Sequence, residues 1–170
     1  MGAGKTRLTA RLLEEAVDLG LSKEITVIDM APRTQEIRGR IVGGRLSEVT
    51  EACGRVRYLA PRRVETPRLS ASSAEELLRM VRLNAERIGP LLEEYLRRPT
   101  PILFINDVSL YLQSGSIDPV LRALRRAETF IANGYYGEYF AREDHGTGVS
   151  KRERELMGLL ASQVDIVIRL

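Results

Sequence analysis

The chain has no tryptophan, one cysteine, one histidine and an aromatic content of only 5% in 170 residues. Each scarcity excludes something. A lone thiol, Cys53, cannot form an internal disulfide, so a disulfide-braced secreted domain is excluded and a reducing, cytoplasmic setting is expected. With His145 as the sole imidazole, a Cys/His zinc cage is out of reach. No apolar run approaches the ~18 residues of a membrane span. The opening MGAGKTRLTARLL lacks a signal peptide's charged-then-apolar layout, so no membrane association is expected. Lysine is scarce too, 3 residues against 23 arginines. The arginines are scattered and the net charge is only +3, which argues against a nucleic-acid partner.

What is present is an apolar content of 44%, enough for a well-buried core in one domain over residues 1–170. Short β-branched runs alternate with helical periodicities. Leu8, Leu12, Ala16 and Leu19 recur at helical spacing, and Gly20 marks the stop. Residues 25–29 read as a buried strand, ended by Pro32. Residues 34–42 and 47–53 read as two short helices parted by Gly43 and Gly44, and 56–59 as a short strand. Ser73 and Glu76 have capping-box spacing and open an amphipathic helix that Gly89-Pro90 should bend or break. Residues 102–105 form the next strand, Asp118-Pro119 opens a helix, and 129–132 is again a strand. Ser150 and Glu153 repeat the capping spacing, and 164–168 closes as a strand. Strands separated by helices require crossovers. That predicts an α/β fold, three layers around a mainly parallel sheet.

The chemistry concentrates at Gly2-Ala3-Gly4-Lys5-Thr6, which leads directly into the first helix. Glycine lets backbone amides curl toward an anion, Lys5 adds a cation, and the Thr6 hydroxyl offers a metal ligand. The positive end of the helix faces the same point. Asp107 follows the apolar run 102–105 and Asn106, an acid at the carboxyl edge of the sheet. Asp29 ends an earlier strand at that edge.

These segments resemble the Walker A and Walker B elements of the P-loop NTPase superfamily. GAGKT resembles the second half of G-x-x-x-x-G-K-[ST], and ILFIND resembles the strand that ends in an acid. The resemblance implies a P-loop NTPase-like fold with ATP or GTP and Mg²⁺ as cofactors. It implies Lys5 and Asp107 in catalysis, and Gly2, Ala3, Gly4, Lys5 and Thr6 around the phosphates. Thr6, Asp107 and Asp29 would surround the metal. It also implies a first strand, ahead of the loop, that the 170 residues do not contain. The resulting gap in the sheet is expected beside residues 102–105.

Within the superfamily, Val108 stands where hydrolytic motors usually carry a glutamate, and no guanine-reading Asn-Lys-x-Asp is present. Residues 103–112, 129–133 and 155–168 loosely resemble adenosylcobinamide kinases. No histidine lies between Met30 and Leu46 to act as that family's guanylylated nucleophile. Ile28-Asp29-Met30-Ala31-Pro32 resembles the Asp-x-x-Pro segment of dimeric ATP switches for partitioning and metal insertion. The reading is a Mg²⁺-dependent nucleotide-binding protein, kinase-like or NTPase, acting on a small-molecule or protein acceptor. A dimeric ATP switch, which implies a homodimer, and a non-catalytic interaction protein are the alternatives. Arg38, Arg40 and Arg45 are candidates to hold an acceptor anion, or else part of a solvated face. Residues 144–150, flanked by Arg142 and Arg152, are a candidate lid. Tyr135, Tyr136, Tyr139 and Phe140 either pack together or stack a ring.

Overall fold

Four runs expected to be strands do form one sheet, and the alternation of their side chains decides its layers. The computed structural model describes residues 4–37, 39–137 and 142–170, with Arg40 described by its backbone alone. Strands β1 (Ile25–Asp29), β4 (Arg57–Leu59), β5 (Ile102–Asn106) and β6 (Thr129–Ala132) lie in the order β4-β1-β5-β6. All three pairings are parallel, with Ile25 opposite Ile102 and Leu103 opposite Phe130. A parallel sheet needs cover on both faces. On one face Ile25, Val27 and Phe104 pack with Ala10, Leu13 and Val17 of α1 (Lys5–Asp18). On the other, Ile28, Leu103 and Ile105 pack with Ile88, Leu92 and Tyr95 of α3 (Ala74–Arg97). The three layers expected from the sequence are therefore present.

The other elements are β2 (Gln35–Ile37), β3 (Arg40–Val42), α2 (Pro67–Ser70), α4 (Val108–Leu112), α5 (Asp118–Arg126) and α6 (Val149–Ala161). No helix among the described residues is long and apolar enough to cross a membrane.

Six expectations about the fold are corrected. Residues 34–42 are not a helix: β2 and β3 form an antiparallel hairpin that turns at Gly39, whose φ is 74°. Glycine in the left-handed region is the normal device of so tight a hairpin. Residues 46–48 and 51–55 are 3₁₀ turns rather than one α-helix. Pro90 does not break α3, which runs through all 24 residues. Pro90 and Glu86 lie on the exposed face, so water can take the carbonyl that proline leaves free, while buried Ile88 and Leu92 hold the helix down. Ser150 does not cap α6. That helix starts at Val149, and buried Asp144 accepts the Ser150 N–H at 3.3 Å.

The fifth correction concerns the sheet's open side. β5 is paired on both flanks, so 102–105 borders no gap. Among the described residues, the strands that hydrogen-bond on one side only are the two outer ones, β4 and β6. Residues 164–168, expected as a strand, form none. Ile166 is 78% and Ile168 65% exposed, and the run pairs with no neighbouring strand among the described residues. An open sheet edge and an exposed β-branched run are each adhesive. Sedimentation equilibrium is expected to show mass rising with concentration, and Ile166→Lys to weaken the effect. A constant monomer mass at all concentrations would show the edge to be inert.

Candidate functional site

Gly4 sits immediately before α1 with φ 81°, and no side chain caps the helix. The first N–H groups of a helix have no partners within it, so the opening of α1 presents free donors and positive potential. Lys5 and Thr6 occupy this turn, both partly exposed. Neither side chain makes a hydrogen bond or ion pair among the described residues. Gly2 and Ala3 lie outside the described residues.

Asp107 stands where β5 gives way to α4, in the left-handed region at φ 59°. Aspartate tolerates this region better than most residues. Its N–H donates to Asn133 Oδ1 at 3.0 Å, and Ser109 Oγ donates to its Oδ1 at 2.7 Å. Protein atoms crowd the carboxyl, and desolvation pushes its pKa up. The Ser109 hydrogen bond and the charges of Lys5 and Arg68 pull against that rise. Lys5 and Asp107, far apart in sequence, thus share one electrostatic neighbourhood. The Asp107 Oδ2 atom has no hydrogen bond from the described residues.

Asp29 has a different task. Its Oδ1 accepts from Asn106 Nδ2 at 2.8 Å and the Ala31 N–H at 3.2 Å. Its Oδ2 accepts from the Leu46 N–H at 2.6 Å and the Tyr58 hydroxyl at 2.7 Å. Four donors occupy a fully buried carboxylate, which leaves no lone pair for a metal ion. Asp29 organises the sheet edge. The metal role expected for it is replaced by a structural one. Desolvation raises its pKa, with the four donors opposing.

Three polar residues that sequence reasoning passed over join these acids. Asn106 donates to Asp29 and accepts from Asn133 Nδ2 at 2.8 Å. Asn133 Nδ2 also donates to Thr9 Oγ1 at 2.8 Å, and Thr9 donates to the Lys5 carbonyl at 3.0 Å. The result is a continuous relay across the carboxyl edge of the sheet, from α1 through β6, β5 and β1. A signal existed in the sequence: each asparagine stands at the carboxyl end of an apolar run, Asn106 as the last residue of β5 and Asn133 just after β6, where a buried amide needs partners.

Beside Asp107 lies a second unforeseen group. Arg68 of α2 meets Glu153 of α6, with both side chains nearly sealed from water, 9% and 2% exposed. Arg68 Nη2 donates to Glu153 Oε1 at 3.1 Å, and Gln113 Nε2 donates to the same oxygen at 3.1 Å. Desolvation raises the pKa of Glu153, Arg68 and Gln113 oppose it, and the charge of Asp107 adds to the rise. Arg68 also stacks over Tyr135, 5.3 Å from the ring centre. Tyr136 lies under Arg154 and Arg169, so these two tyrosines pack against arginines. Tyr139 and Phe140 lie outside the described residues.

Two other candidates change character. Arg45 is buried and donates to the carbonyls of Ala31 and Pro61, so it laces loops together rather than holding an anion. The side chains of Arg38 and Arg40 lie outside what the structure describes. Segment 144–150 is anchored by Asp144, which accepts from the Gly146 and Ser150 amides. Arg152 donates to the Gly115 carbonyl at 2.8 Å. A segment so tied is a helix entry, not a free lid.

No group of three or more His, Cys, Asp or Glu side chains suited to a metal occurs among the described residues. A divalent ion here would take most of its ligands from phosphate and water, which is the habit of Mg²⁺. The unpartnered Thr6 hydroxyl and Asp107 Oδ2 fit such a demand. Comparison with protein-family models, curated proteins and solved structures finds no match.

Proposed function

We propose that the chain is a Mg²⁺-dependent nucleotide-binding protein of the P-loop type, kinase-like or NTPase, acting on a small molecule. The observation that carries this reading is the shared neighbourhood of Lys5, at the uncapped start of α1, and Asp107, at the carboxyl end of β5. Carboxyl edges of parallel sheets are where nucleotides and phosphates bind in open α/β folds. In this reading the free amides of α1 and the Lys5 ammonium receive the phosphates. Thr6 and Asp107 would hold Mg²⁺, which neutralises phosphate charge and supplies electrophilic help to phosphoryl transfer. Asp29, with every acceptor position filled, is left out of the metal shell.

Titration calorimetry with ATP, with and without Mg²⁺, tests the reading. Lys5→Ala is expected to weaken binding about 10- to 100-fold under both conditions, since a charge-assisted hydrogen bond contributes ~1.5–3 kcal/mol. Asp107→Asn keeps the left-handed backbone acceptable and removes a metal anchor. It is expected to weaken binding only when Mg²⁺ is present. Equal affinity in both variants and the parent would end the P-loop reading.

A further inference from the structure

Two of the hollows on the described surface bear on function. The larger, about 750 Å³, runs along the exposed face of α3, where Glu75, Glu76 and Glu86 alternate with Arg79 and Arg82. Its charges nearly cancel and it lies away from the sheet edge. The smaller, about 330 Å³, opens where the chain leaves β1 and β4, at the carboxyl edge.

Four arginines line this smaller cleft against a single glutamate, Glu65. Glu65 is already committed: Arg63 Nε and Arg87 Nη1 each stand 2.9 Å from its Oε1. Arg45 is committed as well, its guanidinium joining the Ala31 and Pro61 carbonyls on the two walls. Arg33 and Arg62 remain, exposed and without an ion pair among the described residues. The wall that carries Arg33 is held closely. A Cβ at Gly43, where φ is 87°, would lie 2.4 Å from the Arg33 carbonyl oxygen, so only glycine fits. Val64 and Met80 give the cleft an apolar side.

We propose that this cleft binds the oxyanion of a small molecule, a phosphate monoester or a carboxylate, with Arg33 and Arg62 as its guanidinium partners. Guanidinium forks match the planar and tetrahedral oxyanions, and two forks in one concavity, neither in an ion pair and Arg33 opposed only at longer range by Glu48, favour an anion over any neutral ligand. The cleft's use as the acceptor site rests on the nucleotide-binding reading above. The anion site itself does not.

The test follows arginine Nε–H resonances during titration with glycerol 3-phosphate and with succinate, glycerol serving as the neutral control. Saturable shifts are expected with at least one of the two anions, and which one responds identifies the oxyanion. Binding is expected to weaken tenfold or more in Arg33→Gln/Arg62→Gln and to persist in Lys5→Ala. No saturable response to either anion would overturn the proposal, as would equal affinity in the double variant. Loss of binding in Lys5→Ala would overturn it too, by placing the anion at α1. Arginine-dependent anion binding by a chain that binds no Mg·ATP would uphold the cleft and sink only the nucleotide reading.

Discussion

Arg68→Met is expected to destabilise the fold by about 3–5 kcal/mol, the penalty for stranding one member of a buried ion pair. Glu153 would then be a carboxylate 2% exposed, with Gln113 as its only other partner among the described residues. Restoring apolar balance should recover much of the loss, so Arg68→Met/Glu153→Leu is expected to be more stable than Arg68→Met alone. The penalty should depend on pH. The folded-state pKa of Glu153 is raised above 4.5, chiefly by desolvation, and losing Arg68 removes the leading opposing influence. A raised carboxyl contributes stability that is complete below 4.5 and disappears as pH rises through the folded value. The gap between variant and parent should therefore be widest at neutral pH and shrink on acidification. Guanidinium unfolding at a series of pH values measures it. A deficit that stays constant with pH would mean that packing, not charge, is what Arg68 supplies.

Asp29→Asn is the second large effect, with an expected loss of roughly 2–5 kcal/mol. The substitution is nearly isosteric but replaces one acceptor oxygen by a donor. Whichever way the amide turns, its NH₂ faces two donors: the Leu46 amide and Tyr58 hydroxyl on one side, or Asn106 and the Ala31 amide on the other. Relief of a buried negative charge offsets part of this, since desolvation raises the pKa of Asp29. Losing two buried acceptor contacts outweighs that relief. Tyr58→Phe, which removes one donor and leaves the other three in place, is expected to cost only about 1 kcal/mol. Urea denaturation of the two variants compares them directly. Asp29→Asn as stable as Tyr58→Phe would show that the carboxylate does not organise the edge.

Much of the fold could be read locally. The runs 25–29, 102–105 and 129–132 are short, apolar and β-branched; the first two became strands buried on both faces, and the third became a half-buried outer strand against β5. The hairpin at 35–42 was hidden by its composition, since Glu36 and the arginines suit a helix and only Gly39 signalled the turn. Residues 164–168 have strand composition and form none, because a strand is a property of a pair. The same logic divides the site. Lys5 and Asp107 belong to contiguous motifs and were visible. The partners Arg68 and Glu153 stand 85 positions apart, and no local pattern could join them.

The relay along the sheet edge has a consequence for how this site comes into being. Its links join residues 27, 77 and 124 positions apart: Asn106 with Asn133, Asn106 with Asp29, and Thr9 with Asn133. Loop closure grows only logarithmically with length, so the longest link costs merely about 1.3 kcal/mol more entropy than the shortest. The distances are thus tolerable, but only the shortest link, Asn106 with Asn133, lies within a fragment as small as β5 and β6, and the other two need α1 or β1 as well. A partly folded chain holding α1 alone would display Lys5 with no Asp107 near it. One holding only β5 and β6 would display the acid without the cation. Completion of the chain's topology and assembly of the charged centre are consequently one cooperative event.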